Sequence, residues 1–174
     1  MRYPVSAQLR VTALLMLVLP ISAVGAQYGG GGMTPPPTID MPQGIDAGLE
    51  YRKGIQALKV QRFAEAKKAF GRVLEVAPKD PNTNYLAGLA HAGLSDLKNA
   101  RKHYERAVKY DPSMVVAHQE LGVTYARLGQ LDKAQVELAN LNALATKCGG
   151  GCAKAGSLKS AIAQVTTAIA GVRR

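Results

Sequence analysis

Two cysteines and three histidines are the residues whose type and spacing most invite chemistry. Cys148 and Cys152 flank Gly149-Gly150-Gly151. Three glycines let the chain curl until the two Cα atoms come within about 7 Å, the reach of a disulfide. The ring so closed is short, and its entropic gain is smaller than that of a long loop. Its use would be to fix the angle at which the next segment arrives. A redox-active pair is the competing reading. Its spacing would be C-x3-C, whereas redox motifs are C-x2-C and open a helix after a strand. A metal site needs more ligands than two thiols, and His91, His103 and His118 are distant in sequence. Nucleophilic catalysis needs a base beside Ser or Cys. The chain has no Gly-x-Ser-x-Gly elbow, no phosphate-binding loop and no His-Glu-x-x-His. His91 reads as a partly buried core residue. His103, among Lys102, Tyr104 and Glu105, reads as solvent-facing. The sequence thus predicts no catalytic residue, no metal ligand and no cofactor, and favours the structural disulfide.

A disulfide persists only in an oxidising compartment, and the N-terminus speaks to that. Residues 1–26 carry Arg2 and Arg10, no acid, a nearly unbroken apolar run from Val11 to Leu19, and Val24-Gly25-Ala26. This is the three-part pattern of a secretory signal peptide. The run is short for a membrane-spanning helix, which needs about 20 residues, although a retained anchor is the alternative. No Cys stands at the cleavage point for a lipid anchor. Residues 27–45 follow, with Gly29 to Gly32 and Pro35-Pro36-Pro37. They read as a flexible tether, or as a short linear motif. The expectation is an exported protein, periplasmic or extracellular, that is not transmembrane after cleavage.

The rest of the chain must supply the scaffold. Hydrophobic residues make up 47% and charged residues 20%, which excludes wholesale disorder. There is no Trp, only two Phe, and 18 Gly, so a core has to come from small and aliphatic side chains packed closely between helices. A step of 34 residues organises them. It joins Gly54, Gly88 and Gly122; Ala66, Ala100 and Ala134; Phe70, Tyr104 and Leu138; and Pro78 with Pro112. Val60, Leu94 and Leu128 keep it, as do Phe63, Leu97 and Leu131. A small residue on each of two helices lets their backbones approach. The bulky residue one turn after each Ala lies on the same helix face and fills the groove beside the contact. Pro78 and Pro112 stop the second helix of each pair. Asp80 before Pro81 is a helix cap with Pro in the first position.

These residues resemble the tetratricopeptide repeat, whose unit of about 34 residues favours a small residue, Ala, an aromatic and Pro at fixed offsets. Gly54, Ala66, Phe70 and Pro78 meet them in a unit spanning 47–80. Gly88, Ala100, Tyr104 and Pro112 do so in 81–114. Gly122, Tyr125, Ala134 and Leu138 fall in 115–148, where Thr146 replaces the Pro. The resemblance implies an all-α, right-handed solenoid of three helix-turn-helix repeats over 46–148. Helices are expected at 46–59, 63–76, 82–93, 97–110, 115–128, 131–145 and 156–171. A solenoid's last repeat needs a lid. Residues 149–174 supply a Gly loop and a capping helix, with Leu158, Ile162, Val165, Ile169 and Val172 in one apolar stripe. Ser157 is its expected cap. A coiled-coil seam is the weaker reading of that stripe.

The resemblance also implies that the first helix of each pair lines a concave face. In this chain that face would carry Tyr51, Arg52, Ile55 and Lys59, then Tyr85 and Leu89, then Gln119, Val123 and Arg127. Exposed Tyr beside aliphatics offers apolar area with a hydroxyl at one end. It suits a protein or peptide partner, although Ile55, Leu89 and Val123 would equally serve packing between repeats. The lysine- and asparagine-based clamp for chaperone tails, known in one class of the family, is missing: the matching residues are Tyr51, Ile55, Val116 and Glu120. The net charge of +10 reads as a solvated outer face, or as attraction to an acidic protein or an anionic membrane surface. Nucleic acid is not expected, because aromatic stacking platforms are lacking.

Overall fold

The computed structural model describes residues 44–172. The expected signal peptide and all but the end of the tether lie outside the described residues. Among the described residues there are seven helices and no strand. They are α1 (Ala47–Lys59), α2 (Phe63–Val76), α3 (Pro81–Gly93), α4 (Leu97–Tyr110), α5 (Val115–Arg127), α6 (Leu131–Cys148) and α7 (Ala155–Val172).

Local chemistry sets the starts. Asp46, Asp80 and Asp96 accept hydrogen bonds from the backbone N–H of Leu49, Thr83 and Asn99, three donors that a bare helix end leaves unpaired. Pro81 occupies the first turn of α3. The turn inside each pair is the same three times. Gln61, Ser95 and Gly129 adopt positive φ of 58°, 60° and 72°. The next N–H then reaches back to a carbonyl: Arg62 to Ala57, Asp96 to His91, Gln130 to Tyr125, at 2.8, 3.0 and 2.9 Å. This left-handed cap satisfies the end of the first helix and reverses the chain. Only the third turn uses the glycine that such a φ favours.

Packing then follows the order of the chain. Helices pair as α1–α2, α3–α4 and α5–α6, and each pair leans on the next through α2–α3 and α4–α5. Helix α7 lies against both α5 and α6. The buried side chains form two clusters. One joins Ala57, Ala66, Phe70, Ala87 and Ala90. The other runs from Ala100 and Tyr104 through Leu121, Ala134 and Leu141 to Leu158, Val165 and Ile169. The small residues predicted at the contact are fully buried: Ala66, Ala100 and Ala134 are all at 0% exposure.

Three expectations need correction. Helix α6 continues to Cys148 rather than stopping at 145, because Leu144, Ala145 and Cys148 pack against the second cluster, and Gly149 ends it at φ 64°. Ser157 does not cap α7; it sits inside the helix and its hydroxyl donates to the Lys154 carbonyl. Val172 is 46% exposed and leaves the stripe, while Ala161 joins it at 0%.

Candidate functional site

The residues expected to face a partner are carried by α1, α3 and α5. Arg52, Lys59 and Arg127 are exposed; Tyr51, Ile55, Tyr85, Leu89, Gln119 and Val123 are half-buried. The two tyrosines are held alike. Tyr51 meets Phe70 edge-on with ring centroids 6.0 Å apart, and Tyr85 meets Tyr104 at 6.1 Å. Phe70 and Tyr104 in turn press on glycines. A Cβ on Gly54 would lie 2.5 Å from the Phe70 ring, and one on Gly88 would overlap the Tyr104 ring. Each of the first two repeats is therefore a stack of glycine, buried ring and half-exposed tyrosine across two helices. Each tyrosine is half-buried and backed by a buried ring.

The third repeat is built differently. Leu138 does not fill the groove beside Gly122, as the spacing predicts. The atoms a Cβ there would meet are the two methyls of Val165, at 2.9 and 3.0 Å, and Glu137 Cβ. A leucine lacks the reach of a ring, so α7 supplies the filling. Gln119, at the place of Tyr51 and Tyr85, donates to Gln164 of α7 at 3.2 Å and to Glu120 at 3.1 Å. Burial raises the pKa of the Glu120 carboxyl against the opposing Gln119 bond and Arg127 charge. The Gln119 end of the site is thus tied to α7.

A second set of residues went unread at the sequence level. Asn84 and His118 are 34 apart, and each bonds the proline carbonyl that ends the preceding pair: Asn84 Nδ2 to Pro78 O at 3.1 Å, His118 Nε2 to Pro112 O at 3.0 Å. His118 also donates through Nδ1 to Glu137 Oε2 at 2.6 Å, and both residues are buried. A carboxylate and a carbonyl oxygen at the two ring nitrogens favour hydrogen on both, the protonated ring. Burial opposes that charge. The Glu137 hydrogen bond, the Pro112 carbonyl and the nearby carboxylates outweigh it, and the pKa of His118 is raised. In the second repeat the place of Glu137 falls to His103. It is half-buried and not solvent-facing as expected, because it stacks on His91 with centroids 5.1 Å apart. Burial, then the charge of His91, pushes its pKa down to about 4. His91 is half-buried as read, with Nδ1 3.0 Å from Asp96 Oδ2. The 34-residue spacing of Asn84 and His118, each six residues beyond a proline, was the signal available in the sequence.

Cys148 and Cys152 bracket the α6–α7 turn, with sulfurs in bonding contact and Cα atoms 5.4 Å apart, inside the range a disulfide requires. Among the described residues no three His, Cys, Asp or Glu side chains gather as a metal-binding group, and no helix is long and apolar enough to cross a membrane.

Models of the tetratricopeptide repeat match residues 51–114 and 91–150. The chain belongs to the tetratricopeptide repeat family. Its TPR solenoid is similar in sequence to a TPR repeat-containing thioredoxin of Arabidopsis thaliana, 37% identical over 90 residues. That match takes in 51% of this chain but 12% of the relative. Among solved structures it resembles MamA (residues 41 to the end) from Desulfovibrio magneticus RS-1, with TM-score 0.58 and 28% identity over 60% of this chain and 59% of that one. It also resembles the TPR2B domain of yeast Sti1, solved as its pHsp70 complex, with TM-score 0.57 and 20% identity over 70% and 96% of the two chains. The chain spans only part of the length of the plant relative and of MamA.

Proposed function

We propose that this chain is a non-catalytic TPR adaptor that grips a peptide or protein segment along α1, α3 and α5, the concave face that the family's architecture implies. One observation carries the reading. Tyr51 and Tyr85 stand 34 residues apart, each half-open and each backed by a buried ring. Rigid amphipathic side chains of this kind dominate binding energy because little conformational entropy is lost when they are covered. Ile55, Leu89 and Val123 add apolar area, and Arg52, Lys59 and Arg127 set a basic rim. The Sti1 TPR2B domain, of like fold, holds pHsp70 in its complex, which supports partner binding as the use of such a scaffold.

The signal-peptide pattern of residues 1–26 and the Cys148–Cys152 pair support a place outside the cytoplasm, in a bacterial envelope, where the two thiols stay bridged. The bridge would then be a staple for α7 rather than a redox centre. Capture of partners from the native envelope by crosslinking, with and without Tyr51→Ala plus Tyr85→Ala, tests the binding face. The double variant should lose the main partner while far-ultraviolet circular dichroism stays unchanged; equal capture would remove the face from consideration.

A further inference from the structure

The N-terminal edge of the solenoid holds a groove that shares Arg52 with the binding face and is otherwise separate from it. It has a volume of about 660 Å³ and lies between α1 and α2. Ala57 and Ala69 are buried in its floor, and Val60 is 62% exposed beside them. Five cations line it: Arg52 and Lys53 from α1, Arg62 from the turn, and Lys68 and Arg72 from α2. The two carboxylates in it are already engaged. Glu50 pairs with Lys53 at 2.8 Å and with Arg72 at 3.3 Å, and Glu65 with Arg62 at 3.7 Å. Arg52 and Lys68 form no ion pair among the described residues, so the groove carries unbalanced positive charge.

The repeat pattern says what the groove is built for. In the second and third repeats the places of Lys53 and Gln56 are taken by Ala87 and Ala90, then by Leu121 and Thr124, all buried at 3% exposure or less. Helices α2 and α4 pack there. In the first repeat the same places are Lys53 and Gln56, both exposed. A further apolar helix, or the apolar side of a second copy, would have to bury the Lys53 ammonium, which Glu50 alone partners, and the Gln56 amide. Carboxylates would meet two free cations instead.

We propose that this groove is a second docking site, for an acidic peptide segment of a partner protein, with Arg52 and Lys68 as its anion-binding residues. The slot between two helices admits side chains of an extended or helical segment. A flat bilayer would touch only its rim.

The test uses the full chain and a fluorescein-labelled peptide of alternating Glu and Ala, about ten residues long, read by fluorescence anisotropy. Saturable binding that weakens as salt rises is expected. A peptide with Gln for Glu should not bind. Lys68→Glu, outside the binding face, should by itself weaken binding several-fold, and Arg52→Glu with Lys68→Glu about tenfold or more. Loss with Arg52→Glu but none with Lys68→Glu would return the peptide to the concave face and overturn the second site. Lys98→Glu with Lys102→Glu, exposed on α4 outside the groove, should bind like wild type. Circular dichroism checks that each variant is folded. No binding by the wild type overturns the proposal. So does an equal loss in the α4 variant, which would mean diffuse charge attraction. Phosphatidylglycerol-containing vesicles should sediment no more protein than phosphatidylcholine vesicles. Vesicle binding that depends on Arg52 and Lys68 would assign the groove to a membrane surface and overturn the peptide.

Discussion

The first two repeats close on their own rings; the third closes on another helix. In the former, Gly54 and Gly88 receive Phe70 and Tyr104 from the partner helix of the same pair. In the latter, Gly122 receives Val165 from α7. The polar ties diverge in the same place. Asn84 holds the second repeat to Pro78 as a neutral amide, whereas His118 does this for the third as a titratable ring paired with the buried Glu137. The lesson is that one repeat spacing specifies a place and not its occupant. Where the ring is missing, a segment outside the repeat completes the fold, and that repeat's stability becomes conditional on it.

Targeted substitutions would break or sharpen this contrast. The largest effect belongs to the charged tie. His118→Ala leaves the Glu137 carboxylate buried without its partner and should cost about 3 kcal/mol in urea unfolding. Asn84→Ala, at the matching place in the second repeat, should cost about 1–2 kcal/mol. The pH dependence of His118 and of His103 has opposite sign. The pKa of His118 is raised on folding, so its contribution is complete below about 6.5 and fades as pH climbs through the raised value. The pKa of His103 falls to about 4, so its contribution is complete above about 6.5 and is lost as pH drops toward 4. Chemical denaturation across pH should show less loss on the alkaline side in His118→Ala and less on the acidic side in His103→Ala.

Next in size, Gly88→Ala forces a methyl into a buried ring and should cost about 2 kcal/mol. Tyr104→Leu in the same chain should restore much of it. Gly122→Ala meets two methyls on a terminal helix that can shift, and about 1 kcal/mol is expected. Equal losses at the two glycines would erase the distinction between the repeats. An effect of similar size belongs to Cys148→Ser with Cys152→Ser. A short ring removes little unfolded-state entropy, and about 1–2 kcal/mol should separate the variant from wild type without reductant. With reductant the two should unfold together.

Most of the scaffold was legible because it rests on steric periodicity. Ala66, Ala100 and Ala134 are small wherever two helices cross, and α1 to α5 begin and end within one residue of expectation. The left-handed turn at 61, 95 and 129 was not legible, since Gln61 and Ser95 are not residues that announce a positive φ. His103 was misjudged because its charged neighbours in sequence are not its neighbours in space: it stacks on His91 across the pair. Val165 was readable as part of a lid, but its seat against Gly122 depends on how two helices far apart in sequence meet. Tyr51 and Tyr85 were assigned to the first helix of their pairs by the family resemblance, whereas the Gln119–Gln164 link needed the fold.

Hydrogen exchange on Val165→Ala tests the central claim most directly. If α7 closes the third repeat, amides in α5 and α6 should exchange faster together with those of α7, while α1 and α2 keep wild-type protection. Faster exchange confined to α7, with α5 and α6 unmoved, would show that the third repeat stands without its lid and would contradict the account.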